Sequence, residues 1–458
     1  MSKAGIVGKI SLEGTLELLS PLLIGGGEGA GDIDCEVIKD GENRPYIPGT
    51  SFAGALRSHC LQRLRGELCE QSLLFWGKCG DEKKNDGRQS AVAVSDLNLK
   101  GYRLAVRDGV SIDDATGMAE TGKKYDYEVV EPGAKAEFCL EITLRQGDDA
   151  AAFRQLAAFL LQELKMGAVS LGAMTAKGFG EVRLAECQSL YFDFARSQHV
   201  LAWLARDESG AEKLDLLSEK TQIPPSNRFA IEAWFSLQSS LIVRSYDVSS
   251  DSDDAVQLRS GGRMVIPGTS IKGALRARAR EIGGSFGCAD DSWLRAFMGY
   301  ADDKNEGQEK IKSRLRVREC YFDKAEEIAQ TRIRIDRFTG GVMNTALFST
   351  RPVWRTGNLR EPAFALRFDI QEPEAWEAGL LLQLLKDLWT GWLPFGGEKA
   401  IGRGALQGVS ATLSYGEHSW RLEQMETGLQ IEGDKEKLEE FAAALAVKLA
   451  KEETHCER

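Results

Sequence analysis

No uninterrupted apolar run in the sequence approaches the roughly 18 residues needed for a membrane helix, and the N-terminus lacks a signal-peptide type of apolar core. Together these predict a soluble, cytoplasmic protein with no membrane partner. An excess of positive charge is lacking too: 58 basic residues face 69 acidic ones, a formal net charge of −11. Bulk electrostatics therefore cannot carry nucleic-acid binding, and any such site must be local. The nine cysteines, at Cys35, Cys60, Cys69, Cys79, Cys139, Cys187, Cys288, Cys320 and Cys456, form no regular framework, which predicts reduced thiols rather than a disulfide scaffold.

What the chain does have is length and repetition. Its 458 residues are about three times a typical single domain, so two domains are expected. Ile47-Pro48-Gly49-Thr50-Ser51-Phe52-Ala53-Gly54-Ala55-Leu56-Arg57 recurs as Ile266-Pro267-Gly268-Thr269-Ser270-Ile271-Lys272-Gly273-Ala274-Leu275-Arg276. Asp113 and Thr116-Gly117 recur as Asp336 and Thr339-Gly340, and Leu171-Gly172 through Gly178-Phe179-Gly180 recurs as Phe395-Gly396 through Gly402-Arg403-Gly404. Three anchors in the same order, at nearly constant offset, mark an internal duplication. Ile223-Pro224-Pro225-Ser226-Asn227 interrupts both helix and strand, so the boundary is expected there, giving domains 1–223 and 224–458. The second would end in an acidic helical tail.

Each copy opens with a strand-like run, 10–24 and 229–243, and a short strand ends at the Pro-Gly-Thr-Ser motif. Thr50 or Ser51, like Thr269 or Ser270, could cap the helix that follows. Apolar residues at helical spacing predict helices over 151–166 and 375–389, and the strand 181–184 follows the first glycine segment. The order of strands and helices predicts an α+β fold of two tandem ferredoxin-like domains.

The motifs then resemble the RAMP superfamily, specifically the backbone subunits that line the guide RNA in type III CRISPR effector complexes. The resemblance rests on Gly25-Gly26-Gly27 and Asp34, the Ile-Pro-Gly-Thr-Ser motif with its helix, the Asp113 to Gly117 segment leading into Tyr125-Asp126-Tyr127-Glu128-Val129, and Lys177-Gly178-Phe179-Gly180. It implies a modified ferredoxin-like, RRM-like palm with a β-hairpin thumb in each copy, the thumbs being 112–130 and 335–353. Two copies on one chain resemble the fused backbone subunits of type III-D-like complexes. The implied partners are a CRISPR guide RNA, a complementary target RNA and the other subunits of the ribonucleoprotein.

The resemblance also implies metal-dependent cleavage of the target RNA by an endoribonuclease centred on an acidic residue before the Pro-Gly-Thr-Ser motif. Asp34 falls on that position. Its carboxylate could hold a divalent ion, Mg²⁺ by expectation, or take the proton of the attacking 2′-hydroxyl. In the second copy either Asp254 or Asp253 could correspond, Asp254 being preferred, so Asp34 and Asp254 are the expected metal ligands. Glycines admit phosphates where a Cβ would intrude, so Gly178 and Gly180 with Lys177, and Gly402 and Gly404 with Lys399 and Arg403, are expected RNA contacts. Ser51 and Arg57, and Ser270, Lys272 and Arg276, would bind phosphate at the helix starts. Phe338 and Trp354 could stack bases, and arginines at 314, 316 and 318 and at 332 and 334 would share strand faces.

Two other functions follow from the same resemblance: a catalytically silent scaffold, and a precursor-RNA processing endonuclease. The second commonly uses histidine, and none of His59, His199, His418 and His455 falls in the first strand–helix loop. His59, Cys60, Cys69 and Cys79 lack the close cysteine pair of a zinc site.

Overall fold

A computed structural model describes residues 5–28, 33–78, 87–113, 116–221, 227–245, 253–288, 290–300 and 310–456. Cys79, residues 223–226 of the proline junction, Asp251 and Ser252 lie outside the described residues. The chain is mixed α+β and divides into two compact units. One comprises Met1–Val110, Lys123–Thr175 and Phe179–Pro224; the other comprises Pro225–Arg458 together with Ser111–Gly122 and Ala176–Gly178.

In the first unit the strand Ile6–Leu18 pairs antiparallel with Val182–Asp193 on one side and Lys135–Arg145 on the other. Ile10, Leu12, Leu16 and Leu18 point into the core while charged residues between them face out, the period-2 pattern of a half-buried strand. The helices Gly49–Arg63 and Ala150–Lys165 contribute Phe52, Leu56 and Cys60, and Phe153, Leu156, Phe159, Leu160 and Leu164, to that core. The opening strand stops at Leu18, short of Ile24, where the chain turns through Ser20 and Pro21. Gly25-Gly26-Gly27 lie in the strand Gly25–Glu28, paired with Cys35–Val37.

The second unit repeats this plan. Arg228–Leu237 lies between Phe364–Gln371 and Leu406–Tyr415, and the helices Gly268–Ser285 and Ala375–Trp389 bury Ile271, Leu275 and Ala279, and Leu380, Leu384 and Leu388. The duplication extends to irregularities. A register shift falls between Thr15 and Leu16 in the first copy and between Trp234 and Phe235 in the second, each opposite the late strand. Because β-bulges are specific features of a fold rather than defects, this coincidence supports a shared ancestor plan. A polar pair ties the two helices in both copies: buried His59 Nε2 lies 2.5 Å from buried Glu163 Oε2, and half-buried Arg278 donates from Nε to buried Asp387 Oδ2 at 2.7 Å.

After Tyr415 the second unit adds His418–Met425 and Gly428–Glu432, then the helix Lys435–Cys456. Despite its acidic sequence, this tail is packed: Phe441, Leu445 and Leu449 are buried, and the Phe441 ring meets Phe229 at 5.7 Å.

The helix caps differ from expectation. Pro48 and Pro267 are the N-cap residues, and no side chain of either caps its helix. Thr50, Ser51, Thr269 and Ser270 already lie in the first turn. In the first copy the Gly49 amide donates to Asp96 Oδ1 at 2.8 Å instead.

Candidate nucleic-acid interface

A small sheet stands beside each core. In the first copy it runs Gly25–Glu28, Cys35–Val37, Ala119–Val130, Leu104–Ile112; in the second, Arg244–Ser245, Ala255–Gln257, Val342–Arg351, Gln330–Ile335. Two long strands of each sheet form a hairpin whose tip is set by the repeated Asp-Thr-Gly anchor. The Asp336 carboxylate accepts the amides of Phe338 and Thr339 at 2.9 and 2.8 Å, and Asp113 accepts that of Thr116 at 3.1 Å. Gly117 and Gly340 both sit at φ +67°, which glycine tolerates at least cost. Those amide bonds hold the Asp336 carboxyl below its ordinary range. Val106, Val110, Ile112 and Met118 are exposed on the first hairpin, and Ile333, Ile335, Phe338 and Leu347 on the second, with Phe338 97% exposed. Apolar side chains gathered on an exposed hairpin face mark a contact face.

The acidic loop meets the base of this hairpin. Cys35 pairs in parallel with Tyr127, and Ala255 with Thr350. Asp34 Oδ2 accepts the Asp126 amide at 2.8 Å, and Asp254 Oδ2 accepts the Ser349 amide at 2.7 Å. Register and bonding therefore make Asp254 the counterpart of Asp34. Asp253 takes a different role, paired with Arg351 Nε at 2.6 Å. Both Asp34 and Asp254 are exposed.

Residues that sequence reasoning missed now appear. Asp108 and Asp126 lie nine residues either side of Gly117, so the hairpin sets them opposite each other, a signal the tip position could have given. The second copy has Thr331 opposite Ser349 at those places. The hydrogen bond with Asp108, burial, and the charges of Asp108 and Asp34 push the Asp126 carboxyl up, against the pull of Lys124. These carboxylates are hard oxygen donors of the type a divalent cation takes. No three His, Cys, Asp or Glu side chains are grouped to hold a metal ion among the described residues, so the donors match Mg²⁺ in chemistry without forming a ready cage.

The expected phosphate nest is corrected by the glycine geometry. The Gly180 amide donates to Pro21 O and the Gly404 amide to Ser240 O, each at 2.7 Å, while the Gly402 amide donates to Lys399 O at 3.0 Å. A Cβ on Gly180 would stand 1.8 Å from Leu171 O, and on Gly404 1.9 Å from Phe395 O. These glycines let two chain segments touch; their amides are already engaged. Gly178, at φ +88°, is buried as well.

Two expected phosphate ligands are likewise turned inward. Lys272 is buried and its Nζ donates to Ser313 Oγ and Leu315 O. Burial, with the charges of Lys177 and Arg276, brings its pKa down to about 7. Arg403 is 2% exposed and donates to Gln330 Oε1 at 2.7 Å and Ser240 Oγ at 3.2 Å. Arg276 donates to the carbonyls of Met298 and Gly299, and burial lowers the pKa of half-buried Lys177. Ser51 and Ser270 are half-buried, whereas Arg57 and Lys399 are exposed. Trp354 is half-buried in the strand Val353–Arg355, between Ser240–Leu241 and Ala325–Glu327. Arg314, Arg316 and Arg318 alternate with buried Leu315 and Val317 as expected, but Arg314 is paired with buried Glu377 at 2.8 Å. Arg332 is likewise engaged, with Glu398 at 3.0 Å, while Arg334 and Arg337 are exposed.

Residues 15–183 and again 234–407 match the RAMP superfamily. The chain belongs to the RAMP superfamily. The two matched spans cover the two copies found by internal comparison, so this is a RAMP protein built twice on one chain. No curated protein matches it. No helix among the described residues is long and apolar enough to cross a membrane.

Proposed function

We propose that this RAMP protein is a double backbone subunit of a type III CRISPR effector complex, binding guide RNA along both copies and cutting the complementary target RNA. Each copy would be a ferredoxin-like palm with its hairpin as the thumb. The observation that carries the reading is the repeated pairing of an exposed aspartate, Asp34 or Asp254, with a main-chain amide at the base of a hairpin with exposed apolar side chains. A hairpin that wedges a duplex open at regular steps would bring one target phosphate beside each aspartate. Exposed Phe338 would stack on a base, since aromatic rings hold any base by its face. Arg57, Lys399, Arg334 and Arg337 would meet phosphates and supply the local charge that a net-acidic chain needs.

Held in place by its amide, the Asp34 or Asp254 carboxylate would either hold a divalent cation or accept the proton of the attacking 2′-hydroxyl. Asp34 and Asp254 would be the residues that hold a divalent cation, with Asp108 and Asp126 near Asp34 as further oxygen donors in the first copy. Such a cation, when bound, supplies charge stabilisation for the phosphoryl oxygens. A silent scaffold is the second reading, favoured by the fact that each aspartate already has a structural bond to make. RNA that copurifies with the chain from a native host tests the binding role. Repeat-derived guide sequences are expected, and a preparation free of such RNA would oppose it.

A further inference from the structure

One carboxylate in the second copy has no counterpart in the first. Glu398 follows the glycine pair Gly396-Gly397 and adopts φ +59°, as Met174 does at the matching place with φ +53°. A non-glycine residue in the left-handed region is strained unless its surroundings hold it there. The shared turn sets this backbone in both copies, and in the second copy three guanidiniums fix the Glu398 side chain. Glu398 Oε1 accepts from Arg244 Nη2 at 2.8 Å, Oε2 accepts from Arg332 Nη1 at 3.0 Å, and Arg403 Nε lies 2.8 Å from Oε2, too poorly aligned to donate fully. Burial raises the Glu398 carboxyl, but the Arg244 hydrogen bond and the charges of Arg403, Arg244 and Arg332 outweigh it, leaving the group below its ordinary value.

The placement of these arginines gives the arrangement its meaning. Arg244 lies on one outer strand of the four-stranded sheet and Arg332 on the other outer strand. The two inner strands are Ala255–Gln257, which Asp254 immediately precedes, and Val342–Arg351, which contains Ser349. Arg244 is paired with Gln257, and Arg332 with Phe348, the neighbour of Ser349. Glu398 therefore spans the sheet and ties its edges together across the strands that bring Asp254 and Ser349 into contact.

We propose that Glu398 is the positioning residue of the second copy's acidic loop, holding the sheet in the register that presents Asp254 beside the hairpin base. The first copy achieves the same pairing without this clamp: there Arg107 is paired with buried Glu131 and stands over the Phe179 ring. As a role in cleavage, the inference rests on the proposed function; as a structural role, it does not.

The test is hydrogen exchange on the full chain carrying Glu398→Gln, which keeps the shape and removes the charge. Loss of one charge-assisted hydrogen bond corresponds to at least about 10-fold in an equilibrium. The amides of Asp254 and Ser349 should therefore exchange about 10-fold faster, with that of Asp126 unchanged and Glu398→Asp restoring much of the protection. Unchanged exchange, or an equal rise throughout the second unit, would overturn the proposal. In the assembled complex, Glu398→Gln should slow the one product that Asp254→Ala abolishes, with target affinity and the Asp34-dependent product unaffected. An Asp254-dependent product untouched by Glu398→Gln would also overturn it. If Asp254→Ala itself changes nothing, the cleavage reading falls, and the exchange result still decides the role of Glu398.

Discussion

Replacing Gly180 by alanine separates a packing role for the late glycines from a phosphate-binding one. At φ +72° an alanine costs about 1 to 2 kcal/mol from its own Cβ. That Cβ would also stand 1.8 Å from Leu171 O, so the Leu171 segment must move by more than an ångström. The movement would break or bend the bonds from Leu171 N to Gly180 O and from Gly180 N to Pro21 O, each worth about 0.5 to 1.5 kcal/mol. The sum is a loss of about 2 to 5 kcal/mol, readable by urea unfolding of the full chain. Gly402 is the control, because it has φ +86° but nothing within 4 Å of the place a Cβ would take, so Gly402→Ala should cost only about 1 to 2 kcal/mol. The reasoning is refuted if Gly180→Ala costs no more than Gly402→Ala, or if it preserves stability and weakens only RNA binding.

Further outcomes follow from individual side chains. Unfolded lysine holds its proton to about 10.5, whereas folded Lys272 releases it near 7, so the unfolded state binds more protons between those values and stability should rise with pH across that window. In Lys272→Met, pH-dependent unfolding should lose this rise. Phe338→Ala should leave the melting temperature unchanged, since the ring is 97% exposed. In a filter-binding assay it should weaken RNA binding by about 1 to 3 kcal/mol if the ring stacks on a base. Asp387→Ala removes the buried partner of Arg278, leaving it only the exposed Glu281, and should destabilise the chain by about 1 to 3 kcal/mol in chemical denaturation.

The duplication was legible because its anchors sit where the backbone dictates the residue. Pro48 and Pro267 begin helices, Asp113 and Asp336 close hairpin tips, and Gly180 and Gly404 permit contact that any Cβ would block. Helix 375–389 was equally plain, since Leu380, Leu384 and Leu388 recur on one face and all three are buried. Less legible was what each amide or cation does. Whether the Gly180 amide is free depends on Pro21, far away in sequence, and nothing local in the glycine segment reveals that neighbour. Lys272 and Arg403 look like surface charges by residue type, yet folding surrounds them with acceptors. The correspondence of Asp253 or Asp254 with Asp34 turned on one residue of slip, and the parallel pairing of Ala255 with Thr350 puts Asp254 in the structural place of Asp34. Asp108 and Asp126 could have been found by folding the hairpin about Gly117, but Glu398 could not, because its arginines come from three separate segments.

The central claim is that two aspartates in equivalent places each serve one cut. The most direct measurement is the product ladder from complementary RNA and Mg²⁺ in the assembled complex, with Asp34→Ala, Asp254→Ala and both together. The account predicts that each single change removes a different product, that the double change removes both, and that Asp253→Ala leaves both in place. An identical ladder from all four variants would contradict it.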